Sequence, residues 1–322
     1  MAFPSSVTDI VATTIESRSK KIADNVTKNN ALLARLKKKG KIKPVSGGAQ
    51  ILQELSYAEN GNFSWYSGYD LLSVAAQDVI SAAAFGFKQA ACPVVISGLE
   101  KLQNSGEEAF IDLLEERIGV AEATMANQIA AGVYSDGTGY GGKQLTGLGA
   151  AVTASPTTGI YGGIDRSLYP FWRNQLKACG SNPTAANIQG FMNAAWMQAV
   201  RGSDHPDLIV FDNNLFGVFL GSLQNIQRFT DPEMADLGFT TVKFMNADVV
   251  LDGGIGGFAP AWAGYYLNTK YLFLRPHKDR DMVPLSPNRR VSTNQDADVE
   301  ILGWAGNMTS NGAQFQLYFQ GS

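Results

Sequence analysis

The sequence predicts a mixed α+β fold. Strand-like and helix-like stretches come in blocks, with no regular βαβ alternation. One helical stripe, Phe110, Leu114, Ile118, Ala121, Met125 and Ile129, recurs at spacings of three and four residues. Two Asn-Gly pairs, Asn60-Gly61 and Asn311-Gly312, are flanked by aromatic and alternating apolar residues and read as hairpin turns.

Along the chain, residues 7 to about 39 carry spaced apolar residues and read as helix, fraying into KKKGKIKP. Residues 48–75 look extended and turn at Asn60-Gly61, with Tyr57 on one side and Phe63, Trp65 and Tyr66 on the other. A two-stranded hairpin is marginal alone, so this aromatic projection must pack on something. Residues 78–98 read as a pair of strands. Ser105-Gly106-Glu107-Glu108 has the capping-box pattern that starts a helix. That helix runs about 27 residues, roughly 40 Å, with Glu107, Asp112, Glu115, Glu116 and Glu122 on the wet side. Its length makes it a spine rather than an ordinary core helix. Further on, the sequence predicts a helix over 184–201, a buried strand over Leu208–Phe211 and a helix capped by Asp212 or Asn213. Two short strands are expected in TTVKFMNADVVLDGG and one in GYYLNTKYLFLRPHKD. A final hairpin turns at Asn311-Gly312. The closing LYFQGS resembles the scar of a cleavable tag. However, Phe315 and Gln316 stand where such a site has Glu and Asn, and Phe315, Leu317 and Phe319 alternate as in a strand. It reads as native sequence.

The charged fraction, 17%, is low for a globular chain of 322 residues. Residues 1–43 hold ten Lys or Arg against three acids, a balance of +7, which leaves −10 on the rest. A basic arm on an acidic body suits nucleic acid or the acidic body of a neighbouring copy, or else is a solvated helix face. Two cysteines, Cys92 and Cys179, have no metal-ligand spacing and imply no disulfide framework. No secretory leader and no window of about 18 apolar residues occurs, so a soluble, non-exported protein is expected.

The chemical motifs weigh against catalysis. Residues 137–144, GTGYGGKQ, match a phosphate-binding loop except that Gln144 replaces the Mg²⁺-binding hydroxyl. The loop comes after a helix rather than a strand, and its continuation, LTGLGAAVTASPTTG, is too rich in Gly and Thr for a helix. Its glycines read as a helix exit using positive φ, expected at several of Gly137, Gly139, Gly141 and Gly142. His205 sits in a loop without a nucleophile elbow. Asp296, Asp298 and Glu300 alternate and read as a solvated strand face rather than a Ca²⁺ site.

Taken in order, the basic helix, the aromatic hairpin, the spine helix ending in YSDGTGYGGKQLTGL, and the strings HPDLIVFDNNLF, VKFMNADVVLDG, YYLNTKYLFLRPH and NQDADVEILGWAGNMTSNGAQFQ resemble a tailed-bacteriophage major capsid protein of the Hong Kong 97-type fold. The matching motifs are Ser135-Asp136-Gly137, Thr146-Gly147-Leu148, Leu267 to Leu272 and Asn294 to Asp296. The resemblance implies an N-terminal arm (1–47), an extended E-loop hairpin (48–76), a peripheral domain (77–144, spine helix about 105–133), an axial domain (145–255) and return strands of the peripheral domain (256–322). It implies a structural subunit, not an enzyme, that assembles into pentamers and hexamers enclosing double-stranded DNA, with no cofactor or metal. Intersubunit contacts are expected at Lys37, Lys38, Lys39, Tyr57, Phe63, Trp65 and Tyr66. The implied partners are other copies, scaffolding and portal proteins, a decoration protein and packaged DNA without sequence preference, but no membrane. About 45 residues precede the hairpin, which points to a separate scaffolding protein. The implied location is the virion, after assembly in the host cytoplasm. An encapsulin-type compartment shell and a nucleotide-dependent enzyme using Gly137 to Lys143 are the alternatives.

Overall fold

The computed structural model describes residues 30–103, 107–223, 241–252, 257–285, 290–291 and 296–321. The helix expected from residue 7 is therefore seen only as α1, Ala31–Lys38, with the rest outside the described residues. Asn30 caps it by accepting from the Leu33 amide at 3.1 Å. Leu32, Leu33 and Leu36 lie buried on its inner face. The chain does not fray beyond it. Ile42 and Val45 run beside Leu274 and His277 in parallel bridges.

The hairpin is longer than expected. Its strands are β1, Ile51–Ser56, and β2, Ile80–Phe85, paired from Ile51↔Phe85 to Ser56↔Ile80. Residues 57–79 form an irregular loop between them, within which Asn60-Gly61 makes a local turn. The expected strand pairing within 78–98 is corrected. β2 pairs with β1, while β3, Lys88–Ser97, pairs with β14, Ala297–Ser310. Gly86 and Phe87 break the strand between them, so the two halves join different sheets.

Short helix α2, Gly98–Gln103, leads towards the spine helix α3, Glu107–Val133. The expected start at Ser105 and Gly106 and the side chains of Phe110 and Leu114 lie outside the described part. Downstream, Ile118, Ala121, Met125, Ile129 and Val133 are buried as the stripe predicts, against β3. Glu122, expected on the wet side, is 8% exposed. It sits four residues after Ile118 and four before Ala126, so it shares their buried face. Arg117 ties α3 to α2 through Glu100 (3.1 Å), which holds that carboxyl down to about 2. After the spine, a small hairpin of β4 (Ile160–Tyr161) and β5 (Ile164–Asp165) buries Tyr161 against Phe85 of β2 at 5.1 Å.

Two sheets carry the rest. In the first, the long strand β14 takes β3 along one edge. It also pairs with β11 (Leu272–Pro276), β12 (Val283–Pro284) and β13 (Arg290–Val291). Glu300 on β14 is 6% exposed and Asp298 half-buried, which corrects the expectation of a solvated acidic face. β14 has sheet neighbours on both sides and α3 behind, so little of its length faces water. No cluster of metal-ligating side chains occurs among the described residues.

The second sheet has the order β6-β15-β10-β7-β9-β8, where β6 is Gln175–Ala178, β7 Leu208–Phe211, β8 Thr241–Phe244, β9 Ala247–Leu251, β10 Ala263–Leu267 and β15 Leu317–Gln320. β7 and β9 run parallel within it and, apart from Asp248 on β9, are apolar on both faces, as buried parallel strands require. Successive residues point to opposite faces. Ile209, Phe211, Tyr266 and Phe319 pack under helices α4 (Ile188–Ala199) and α5 (Asn213–Ser222). Leu208, Val210, Tyr265 and Leu267 join the core that continues to the spine helix. Asp212 caps α5, accepting from the Leu215 amide at 3.0 Å and from Trp262 N at 2.9 Å.

Two expectations about the chain's end are corrected. GYYLNTKYLFLRPHKD holds two strands, β10 and β11, one in each sheet. The stretch after Asn311-Gly312 is no hairpin return either, because β15 leaves β14 for the second sheet. A 3₁₀ turn, Ala313–Phe315, redirects it. The closing stretch 256–322 is thus divided between both sheets. The chain crosses between sheets at 267–272 and again at 310–317. The crossings touch, for Tyr271 and Phe315 stack at 4.2 Å and 12°. Leu317 and Phe319 are fully buried, so LYFQ is part of the fold. No described helix is long and apolar enough to cross a membrane.

Candidate functional site

The loop 57–79 carries the largest run of exposed apolar residues among those described. Trp65 is 91% exposed, Phe63 74% and Tyr66 66%, while Tyr69, Leu71 and Val74 are almost fully in solvent. The loop is nevertheless organised. Asn62 is its hub, accepting from Ser73 Oγ at 2.8 Å and donating to the Ala75 carbonyl. Asp70 accepts from Ser67 N at 2.8 Å. Phe63 and Trp65 meet edge-to-face at 5.6 Å. The apolar side chains thus stand in water on a loop whose shape is held by its own hydrogen bonds.

The predicted contact residues separate into four groups. Phe63, Trp65 and Tyr66 share the exposed loop. Tyr57 sits at its foot, half-buried against Phe171 at 5.6 Å. Lys37 and Lys38 are exposed on α1. Lys39 is engaged within its own chain, with its ammonium 2.6 Å from Asp207 Oδ2. Sequence reasoning missed Tyr69, Leu71 and Val74, which follow no period in an irregular loop.

Asp207 is the second centre. Besides Lys39 it accepts from Arg35 Nε at 3.3 Å, Thr269 N at 2.6 Å and Thr269 Oγ1 at 2.7 Å. Arg35 also reaches Asp248 at 3.2 Å. These bonds clamp α1 to the six-stranded sheet. Burial alone would raise the Asp207 carboxyl, but the Lys39 and Thr269 donors outweigh it, and its pKa is lowered.

The spine-helix exit is the third. After Val133, Gly137, Gly141 and Gly142 have φ of 85°, 67° and 80°, whereas Gly139 does not turn positive. Tyr140 does, at 54°, a strained setting for a bulky side chain. Asp136 Oδ1 accepts from Thr138 N (2.9 Å), while the amides of Gly142 and Gln144 bond to Thr138 and Gly139 carbonyls. These three donors are already engaged within the turn. The next helical turn, Leu148–Ala151, has four residues. Asn307 on β14 fixes the exit, accepting from Thr146 N at 3.0 Å and donating to Gly86 O at 2.8 Å. Beside it, Tyr134 donates its hydroxyl to buried Asp252, joining the spine to the second sheet. Burial raises that carboxyl. ATP with Mg²⁺ at millimolar concentration is accordingly expected to leave the melting temperature unchanged. A rise of several degrees that disappears in Lys143→Ala would reinstate the phosphate loop.

His205 is held by its immediate surroundings. Its Nδ1 lies 2.9 Å from the Pro206 carbonyl and its ring leans on Trp196.

No protein-family profile and no curated protein matches this sequence. Solved structures do match. A chain of the cyanophage A-1(L) capsid asymmetric unit aligns with 87% of this chain and 91% of its own, at 15% identity and a TM-score of 0.59. The capsid of the native GTA particle aligns over 88% of each chain at 12% identity and 0.58. The capsid of Myoviridae phage XM1 covers 89% of this chain and 92% of its own at 12% identity and 0.51. With alignment over nearly nine-tenths of its length to these capsid chains, this chain has the Hong Kong 97-type fold of tailed-phage major capsid proteins.

Proposed function

We propose that this protein is the structural subunit of an icosahedral bacteriophage head, assembling into pentamers and hexamers around double-stranded DNA. The observation that carries this reading is the loop 57–79, an ordered segment whose large apolar side chains one subunit leaves in water. On a monomer it is an aggregation hazard, and closed symmetric assembly buries it. Within this reading residues 48–76 act as the E-loop and the N-terminal arm reaches a neighbour. The sheet of β14 with the spine helix serves as the peripheral domain, and the six-stranded sheet as the axial domain. The fold shared with capsid chains supports a structural rather than catalytic role. The acidic body suits a lumen that does not bind DNA along its whole length. Scaffolding, portal and decoration proteins are the expected further partners, and the virion, assembled in the host cytoplasm, the expected location.

Negative-stain microscopy of the purified protein tests this directly, and uniform closed particles or capsomers are the expected result. A chain that stays monomeric at all concentrations and ionic strengths would refute it. Particles formed in the native host that enclose a protein cargo instead of DNA would favour a cellular compartment. The double variant Phe63→Ala, Trp65→Ala is expected to abolish particles while moving subunit stability by less than about 0.5 kcal/mol, because both side chains are exposed. Sedimentation velocity and urea denaturation measure the two effects separately.

A further inference from the structure

Gly40, at φ 62°, turns the chain out of α1 into a run, Lys41 to Val45, that lies beside β11. Residues 35–43 hold six basic side chains and no acid. The Asp207 clamp takes two of them, Arg35 and Lys39, while Lys37 and Lys38 are exposed on α1. Ile42 packs inward against the core, so the alternation of an extended chain sends Lys41 and Lys43 to the opposite face. Phe273 and Arg275, two apart on β11, meet them there. The Lys41 ammonium lies 4.9 Å from the Phe273 centroid, the Arg275 guanidinium 5.3 Å and the Lys43 ammonium 5.7 Å.

This cluster has no counter-charge of its own. Among the described residues none of the three cations is in an ion pair. Gln53 takes one N–H of Arg275 at 2.9 Å, but the Arg275 Nε is buried without a hydrogen-bond partner. The acids close by are already engaged, Asp207 by the clamp and Asp204 by Lys270 and Tyr271. The pKa of Lys41 is lowered, by burial first and then by Lys43, Lys39 and Lys270. Like charges held this close are relieved by an anion.

The layout of the cluster narrows the choice of anion. Lys43 is exposed, and none of the described cavities has Lys41, Lys43 or Arg275 in its lining, so an extended polyanion fits better than a small ion. Residues 35–43 cover roughly 20 Å of contour. Duplex DNA carries a negative charge about every 1.7 Å of its axis, dense enough to meet several of these cations at once. The acids of loop 57–79 (Glu59, Asp70 and Asp78) stand singly, eight or more residues apart. They would meet the cluster one at a time. Phe273 is 7% exposed beneath the cations, so a base cannot stack on it and only backbone phosphates are met.

We infer that the cluster of Lys41, Lys43 and Arg275 over Phe273 binds the phosphates of a nucleic-acid backbone, without sequence preference. The inference deepens the shell reading by placing the contact with packaged DNA on one short stretch of the subunit.

Fluorescence anisotropy of unassembled protein with short labelled duplexes of two unrelated sequences tests it, between about 50 and 200 mM salt. Both duplexes are expected to bind alike, with an affinity that falls steeply as salt rises. Each phosphate contact contributes about 0.9 to the slope of log K against log salt. The double variant Lys41→Gln, Lys43→Gln should therefore reduce that slope by about two, and Lys143→Gln at the spine-helix exit should leave it unchanged. A slope untouched by the double variant overturns the inference. So does a double variant that binds DNA as before but no longer assembles, since the cluster would then hold an acid of a neighbouring copy. Microscopy of the same preparations judges the shell separately. Particles without cluster-dependent DNA binding keep the shell and remove this site, and cluster-dependent binding by a chain that never assembles does the reverse. If the double variant unfolds, Lys43→Gln alone, at an exposed side chain, should lower the slope by about one, and an unchanged slope overturns the inference equally.

Discussion

Asp207→Ala is expected to lower the stability of the subunit by about 3 kcal/mol at neutral pH, measured by urea denaturation. The carboxylate is nearly enclosed and accepts from Arg35, Lys39 and both donors of Thr269. Removing it leaves the part-buried guanidinium with Asp248 alone and strands the Thr269 amide, and breaking a buried pair costs about 3–5 kcal/mol. The lower end is expected here because Lys39 is exposed enough to recover water. Asp207→Asn keeps an acceptor for Thr269 and should cost less than half as much. The pH dependence has a definite sign. The folded pKa is lowered, so the contribution is fully present above the unfolded carboxylate value of about 3.9 and is lost as pH falls through the folded one. The unsubstituted protein should therefore lose stability below about pH 4 more steeply than Asp207→Ala. Equal acid slopes would show that the clamp contributes nothing.

Gly147→Ala is expected to cost about 3 kcal/mol or prevent folding, because a Cβ there falls on the carbonyl oxygens of Gly132 and Val133. Those atoms are backbone of the spine helix's last turn and cannot swing aside. Two nearby glycines calibrate the effect. At Gly141 a Cβ meets nothing within 4 Å, but φ is +67°, so alanine should cost about 1–2 kcal/mol through the backbone alone. At Gly139 the obstruction is the end of the Gln144 side chain, which can move, so the cost should be the smallest of the three. Thermal unfolding of the three variants gives the order Gly147, Gly141, Gly139. A reversed order would mean that the exit adapts rather than dictates.

Much of this architecture is legible in the sequence because its signals are local. The spine helix announces itself through the stripe from Phe110 to Ile129. Asp212 precedes its helix in the sequence as it does in space, and the β8–β9 hairpin is contiguous. The errors share one cause. Asn311-Gly312 does turn the chain, and Ile80–Phe85 and Lys88–Ser97 are strands. Yet which sheet a strand joins depends on residues far away, and no local pattern encodes that. Glu122 and Glu300 read as solvent-facing because charge is a statistical guide to exposure, and here packing overrides it. The candidate surface is half legible. Phe63, Trp65 and Tyr66 stand out beside a turn signal. The Asp207 clamp is assembled from segments as distant as residues 35, 207 and 269, and only the fold brings them together.

The paired crossings between the two sheets have a mechanical meaning. A single connecting strand would let one half of the subunit swivel freely on the other. Here two connections, each passing through a 3₁₀ turn, run side by side, pinned by the Tyr271–Phe315 stack, with Gly312 packed 2.7–3.0 Å from both rings by the measure of an added Cβ. Twisting one sheet against the other therefore has to part the two rings as well as bend both connections. The same twist would also shear the core that the six-stranded sheet shares with the spine helix.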